Sequence, residues 1–261
     1  MTNGACCARR VGMTHFLPVR ELFVSPDAAT ALGAEAEKLP AWALDAHQVA
    51  ELDLLLSGGF TPLRGYMTEA DYRAACEGGD RGWPVPFALR VAADFARGVE
   101  PGHDIALRDA GGVVAVLSVT DRWGDPARLG GKVKGLRRPG SGPTPNALRA
   151  LFRGRGTGQV LAVLPASQAD VEMAATLVAR MGAALLVQTA PGVVVDAPGD
   201  AVLAPLAAGP PEGPRGLLWQ ALVARNHGAT HLFLPDAAAR EIYRPHQDRI
   251  GLPMVLPDGN R

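Results

Sequence analysis

Hydrophobic and polar positions alternate with two different periods along this chain. Over residues 46–56, Val49, Leu52 and Leu55/Leu56 fall on one face at helical spacing, with Asp45 at the cap and Gly58-Gly59 as the stop. Thr68-Glu69-Ala70-Asp71 has the form of a capping box and opens a short helix ending at Cys76. The period then shortens. Residues 85–91 read as a strand, and residues 104–109 and 113–120 flank Ala110-Gly111-Gly112 as a hairpin. Short strands with frequent turns predict a small β-barrel. Residues 124–145 read as loop, and the domain junction is placed there.

The second half has the longer period. Thr144-Pro145 starts a helix that reaches Phe152, and residues 159–164 form a short apolar strand. Ser167-x-x-Asp170 is a second capping box, opening a helix that runs to Met181 and closes on Gly182. Residues 184–189 are a strand, 217–226 a helix, 230–234 a third strand, and a polar helix follows. Strand–helix–strand with parallel crossovers predicts an α/β layer. The expected organisation is an extension over 1–17 that is disordered, a first domain over 18–140 and a second over 141–261.

Length supports two modest domains, since 261 residues at about 150 per domain give roughly two. Basic and acidic residues balance at 26 each, which argues against a nucleic-acid coat as a global description. Lys132, Lys134, Arg137 and Arg138 make only a local positive stretch, read as a solvated linker. Cys6, Cys7 and Cys76 are too few for a disulfide framework. With neither an apolar leader core nor an 18-residue apolar run, the expected location is the cytoplasm.

Familiar catalytic patterns are missing. Gly131-Lys132 has no glycine five residues before Gly131, so there is no phosphate-binding Walker loop. Gly154-x-Gly156-x-Gly158 follows a helix and precedes a strand, the reverse of what dinucleotide binding needs. His227 and His231 straddle a helix end and a strand, so no metal pair is expected.

Ordered strings nevertheless resemble one family. ELDLLLSGGFTPLRGYMTEADY (51–72), WPVPFAL (83–89), HDIALRD (103–109), VTDRW (119–123), LGGKVKG (129–135), TPNALRALF (144–152), QVLAV (159–163), GPRGLLWQALVARNHGATHLFL (213–234) and HQDRIGLPMV (246–255) are similar to ATP sulfurylase (sulfate adenylyltransferase), especially the sulfurylase half of bacterial proteins fused to adenylylsulfate kinase. The resemblance covers roughly residues 18–257. It implies a PUA-like β-barrel domain followed by a reduced nucleotidyltransferase-type, Rossmann-like parallel α/β domain, with adenylyl transfer from MgATP to sulfate as the family chemistry.

That chemistry rests on charge stabilisation at the phosphates. The family supplies it with an Arg/Asn-containing stretch and a His-x-x-His pair after the first catalytic strand, and a Gly-Arg-Asp-His-like loop after a later one. Here the corresponding segments read LPASQADVEM (164–173) and PDAAAR (235–240). No histidine lies between His103 and His227. The expectation is a catalytically degenerate relative acting as a binding, scaffolding or regulatory partner in sulfur metabolism. Alternatives are an active sulfate adenylyltransferase or altered nucleotidyltransferase using Ser167, Arg215 and His231, and an RNA-binding PUA-like module.

No catalytic or metal residue is assigned. Ser167, Gln168, Arg215, Asn226, His227 and His231 are candidate residual ligand-binding positions. For each the plainer role outweighs it: capping for Ser167, a surface helix for Gln168, a surface salt bridge for Arg215, helix termination for Asn226 and His227, and a satisfied buried ring for His231. Cofactors are not expected, save MgATP or adenylylsulfate if the pocket persists. The expected partners are a second copy, a sulfurylase or an adenylylsulfate kinase, with no DNA, no membrane and RNA disfavoured.

Overall fold

The long strands between residues 104 and 135 carry runs of buried residues, such as Val114–Leu117, and build the centre of the first sheet. The computed structural model describes residues 18–78 and 83–258; the expected extension over 1–17 lies outside them. The first half contains α1 (Pro26–Ala36), β1 (Ala41–Ala43), α2 (Ala46–Leu56), β2 (Gly65–Tyr66), α3 (Glu69–Cys76), β3 (Leu89–Arg90), α4 (Ala93–Arg97), β4 (Asp104–Asp109), β5 (Gly112–Trp123) and β6 (Arg128–Gly135). These strands form one sheet in the order β1-β4-β5-β6-β2, with β3 also pairing β6. β1 runs parallel to β4 and the remaining pairs are antiparallel.

Two expectations are corrected here. The strand expected over 85–91 shrinks to Leu89–Arg90. More consequentially, the loop-like stretch after Gly124 contains β6, which pairs with three other strands. Its glycines misled because they answer to crowding rather than to turning. A Cβ on Gly130 would fall 2.0 Å from the Met67 carbonyl oxygen, and one on Gly131 would fall 2.0 Å from that of Ser118. Strands this close admit no side chain at those positions. Leu129 and Val133 are buried while Lys132 and Lys134 point outward, so the strand period was present beneath the polar composition.

The second half contains α5 (Pro145–Gly154), β7 (Val160–Val163), α6 (Gln168–Met181), β8 (Ala184–Val187), β9 (Val202–Leu203), α7 (Pro214–Asn226), β10 (His231–Phe233), α8 (Ala237–Tyr243), α9 (Gln247–Ile250) and β11 (Met254–Val255). Its sheet is wholly parallel, in the order β11-β10-β7-β8-β9. Period-2 alternation gives β7 two apolar faces. Leu161 and Val163 pack with Val171, Ala174 and Leu177 of α6, while Val160 and Ala162 join the larger core with Leu218 and Leu222 of α7. Thr144-Pro145 starts α5 and a left-handed Gly182 at φ +62° closes α6, both as the sequence predicts, whereas α7 starts at Pro214, three residues before the expected 217.

The halves share a core. Phe60 sits 5.4 Å from Trp83, 5.0 Å from Phe87 and 5.9 Å from Trp219 by ring centroids. The chain leaves β7 for β8 on one side and returns through α7 to β10 on the other. That reversal is a topological switch point, and open α/β sheets take their ligands beyond the carboxyl ends of the strands at such a point. Among the described residues no helix is long and apolar enough to cross a membrane.

Replacing Gly130 by Ala should cost at least about 2 kcal/mol of stability, because the added methyl overpacks a strand contact. Gly154→Ala, where nothing lies within 4 Å of the new Cβ, should be close to neutral. Urea denaturation midpoints test the pair. Equal midpoints would contradict the close approach of β6 to its neighbours.

Candidate functional site

The candidate site is made of the residues that follow β7 and β10 at the switch point. After Val163 comes Leu164-Pro165-Ala166-Ser167, which turns into α6. Free N–H groups at a helix start normally invite an anion. Just before α6, the Asp170 carboxylate accepts from the Ala166 N–H at 2.9 Å and the Ser167 N–H at 3.0 Å, which puts a negative charge beside the helix start. Ser167 is therefore the cap of a helix start already supplied with negative charge. Gln168 does more than sit on a surface helix. Its amide donates to the Asp196 carbonyl at 3.2 Å and accepts from the Asp196 N–H at 2.9 Å, clamping the loop after β8.

After Phe233 comes Leu234-Pro235-Asp236, leading into α8. Asp236 caps that helix by accepting from the Ala239 N–H at 2.6 Å. Arg240 is the cation adjacent to this turn, and its guanidinium donates to the Leu234 and Pro235 carbonyls at 3.1 and 2.6 Å. Both strand ends thus carry a capping carboxylate, and Arg240 holds the turn. Gln188, directly after β8, was missed by sequence reasoning. It is buried, and its Nε2 has no hydrogen-bond partner among the described residues. Its only signal was a polar residue closing an apolar run.

The remaining candidates lie apart. Arg215, at the start of α7, donates to the Cys76 carbonyl of α3. This corrects the expected salt bridge: the partner is a carbonyl rather than a carboxylate. His227 follows the other end of that helix, some 18 Å away at 1.5 Å per residue. Asn226 is buried, and its Nδ2 donates to the Gly59 and Thr61 carbonyls at 2.8 and 2.9 Å. His227 is also buried; its ring Nδ1 lies 2.8 Å from the Val223 carbonyl, and burial pushes its pKa down to about 4. It borders a cavity of about 450 Å³ between the halves. There Asp53 holds Arg138 through two contacts of 3.0 and 3.1 Å, a pairing across 85 residues that the sequence does not announce.

His231 pairs in register with Leu161, so it stands toward the amino end of the sheet while Ser167 stands beyond the carboxyl end. Its Nδ1 is 2.8 Å from the Thr230 hydroxyl. Ser167, Arg215 and His231 therefore do not converge. Among the described residues no cluster of three or more His, Cys, Asp or Glu could hold a metal. The positive stretch is partly consumed as well, since Arg137 pairs with Asp109 and Arg138 with Asp53.

Comparison with known proteins agrees with this architecture. Residues 13–128 match a PUA-like domain. A sulfate adenylyltransferase from Phaeosphaeria nodorum is 31% identical over 78% of this chain and 47% of its own length. One from Gibberella zeae is 27% identical over 88% of this chain and 55% of its own. The solved structure of a hexameric APS kinase from Thiobacillus denitrificans superimposes with a TM-score of 0.78 at 30% identity, over 91% of this chain and 55% of that one. The chain spans about half the length of the curated relatives it matches.

The His227 ring links stability to pH. Unfolded, it takes up a proton near pH 6.5; folded, burial keeps it neutral down to about pH 4. Below pH 6.5 the unfolded state therefore binds the extra proton. Stability present above that pH should fall by about 3 kcal/mol as pH drops to 4. Urea titrations across this range should show the loss, and His227→Gln should flatten it. An unchanged slope in the variant would contradict the assignment.

Proposed function

We propose that this chain, a relative of the sulfate adenylyltransferases with a PUA-like first half, has kept the nucleotidyltransferase-type scaffold and given up adenylyl transfer. In this reading residues 18–140 and 141–261 are its two units. It acts in the cytoplasm as a binding, scaffolding or regulatory partner of sulfur metabolism. The observation that carries the reading is the bonding at the carboxyl ends of β7 and β10: the Ala166 and Ser167 amides go to Asp170, the Ala239 amide goes to Asp236, and Arg240 is turned onto two carbonyls.

Adenylyl transfer needs cationic donors aimed at the α-phosphate and the departing pyrophosphate. Losing one preorganised donor costs about 2.7–4 kcal/mol, or 100- to 1,000-fold in rate. Losing several that act together leaves activity near background even when the effects do not add. Placing carboxylates at both strand ends works further against a triphosphate. MgATP and adenylylsulfate are the ligands to expect wherever a nucleotide is still held. The hexameric APS kinase neighbour supports assembly with a second copy, a sulfurylase or an APS kinase as the retained role.

A luminescent assay of ATP formed from pyrophosphate and adenylylsulfate tests the loss of chemistry. The purified chain should stay at background. Turnover above about 1 s⁻¹, the low end of ordinary enzymes, would establish an active adenylyltransferase instead.

A further inference from the structure

A cavity of about 620 Å³, in the size range of small-molecule sites, is bordered by α2, β2, β3 and the 210–212 segment that leads into α7. His47 and Glu51, one turn apart on α2, line it. Gln48 between them ties that helix to its neighbours. Its Nε2 donates to the Arg90 carbonyl at 2.7 Å, and its Oε1 accepts from the Trp42 indole N–H at 3.1 Å. Phe87 and Leu89, both buried, give the cavity an apolar surface, and the Phe87 ring stacks on Tyr66 with centroids 4.9 Å apart.

Two groups here are short of partners. Tyr66 is only 4% exposed, yet it borders the cavity and its hydroxyl has no hydrogen-bond partner among the described residues. A buried donor left unmatched is a cost that an acceptor brought by a ligand would remove. Glu51 is the second. Burial holds its carboxyl above the usual carboxylate range, although His47 and Arg90 pull it the other way. A carboxylate so desolvated gains from a cation that brings N–H donors. Charge around the cavity is mixed: Asp45, Glu51 and Glu212 border it together with Arg90 and Arg128, the last set over the Tyr72 ring at 5.3 Å. That balance disfavours a polyanion and a polycation alike.

We propose that this cavity binds a free α-amino acid with an apolar, ring-sized side chain, its ammonium at Glu51, its carboxylate at the Tyr66 hydroxyl and Arg90, and its side chain against Phe87 and Leu89. The two charges of such a ligand hang from one carbon, and Arg90 is close enough to Glu51 to act on its charge, so the spacing of the pair suits them. No residue at the carboxyl ends of β7 and β10 borders this cavity, so the inference stands whether or not adenylyl transfer has been lost.

Calorimetric titration of the full chain with L-phenylalanine tests it, beside phenethylamine and hydrocinnamate, analogues that keep one of the two charges each. L-Phenylalanine should saturate a single site, and each analogue should bind at least about tenfold more weakly, the loss of one charge-assisted bond. Tyr66→Phe should weaken L-phenylalanine about tenfold without lowering the melting temperature of the free protein, because the hydroxyl it removes has no partner there. Glu51→Gln should weaken L-phenylalanine but leave hydrocinnamate no weaker than before. The proposal fails if L-phenylalanine does not saturate, if either analogue matches it, or if either variant binds it like the parent. A melting temperature lowered by Tyr66→Phe would give the hydroxyl a structural role instead, and saturable binding of adenosine in place of L-phenylalanine would assign the cavity to a neutral heterocycle; either overturns the proposal.

Discussion

The buried carboxamide of Asn226 is the contact on which the arrangement of the two halves turns. It closes α7 and donates to two carbonyls of the 59–61 turn, more than 160 residues away in sequence. Arg225 adds donations to the Thr61 and Ile250 carbonyls at 3.4 and 3.0 Å. Those carbonyls belong to turns without a strand partner, and a buried carbonyl left unmatched costs about 1–3 kcal/mol. One helix end thus satisfies the tight turn of the first half and the segment before β11. Phe60 and Trp219 pack beside this polar strut and fix its geometry. The strut serves the fold, which explains how Asn226 and His227 can be family-like in sequence without taking part in any chemistry at the strand ends.

Much of the architecture was legible from periodicity. α2, the hairpin of β4 and β5, β7, α6 with its left-handed glycine and β8 all follow from caps, stops and apolar spacing. What stayed hidden has identifiable causes. β6 was hidden because Gly130 and Gly131 answer to the Met67 and Ser118 carbonyls, contacts that no local pattern encodes. β9 and β11 are two-residue strands supported by neighbours, too short to carry a period. α1 lacks a strong apolar stripe, and Ala36 is its buried residue.

At the strand ends, the capping box Ser167-x-x-Asp170 could be read directly, and the structure adds what it means for an anion there. Gln168 clamping Asp196, Arg215 meeting a carbonyl of α3 and Asp53 pairing with Arg138 are all long-range, and sequence spacing has no access to them. The segments 164–173 and 235–240 could be read as strings; the structure adds the contacts that Asp170, Asp236 and Arg240 make there.

These observations describe two halves with a shared core, and strand ends where the chain's own carboxylates meet neighbouring amides. The most direct measurement is a calorimetric titration of the full chain with MgATP at low salt. The account predicts no saturable heat assignable to the strand ends, and no difference between the parent and a variant carrying Asp236→Asn. Saturable MgATP binding that Asp236→Asn alters would show that the strand ends still grip a nucleotide, contradicting the account.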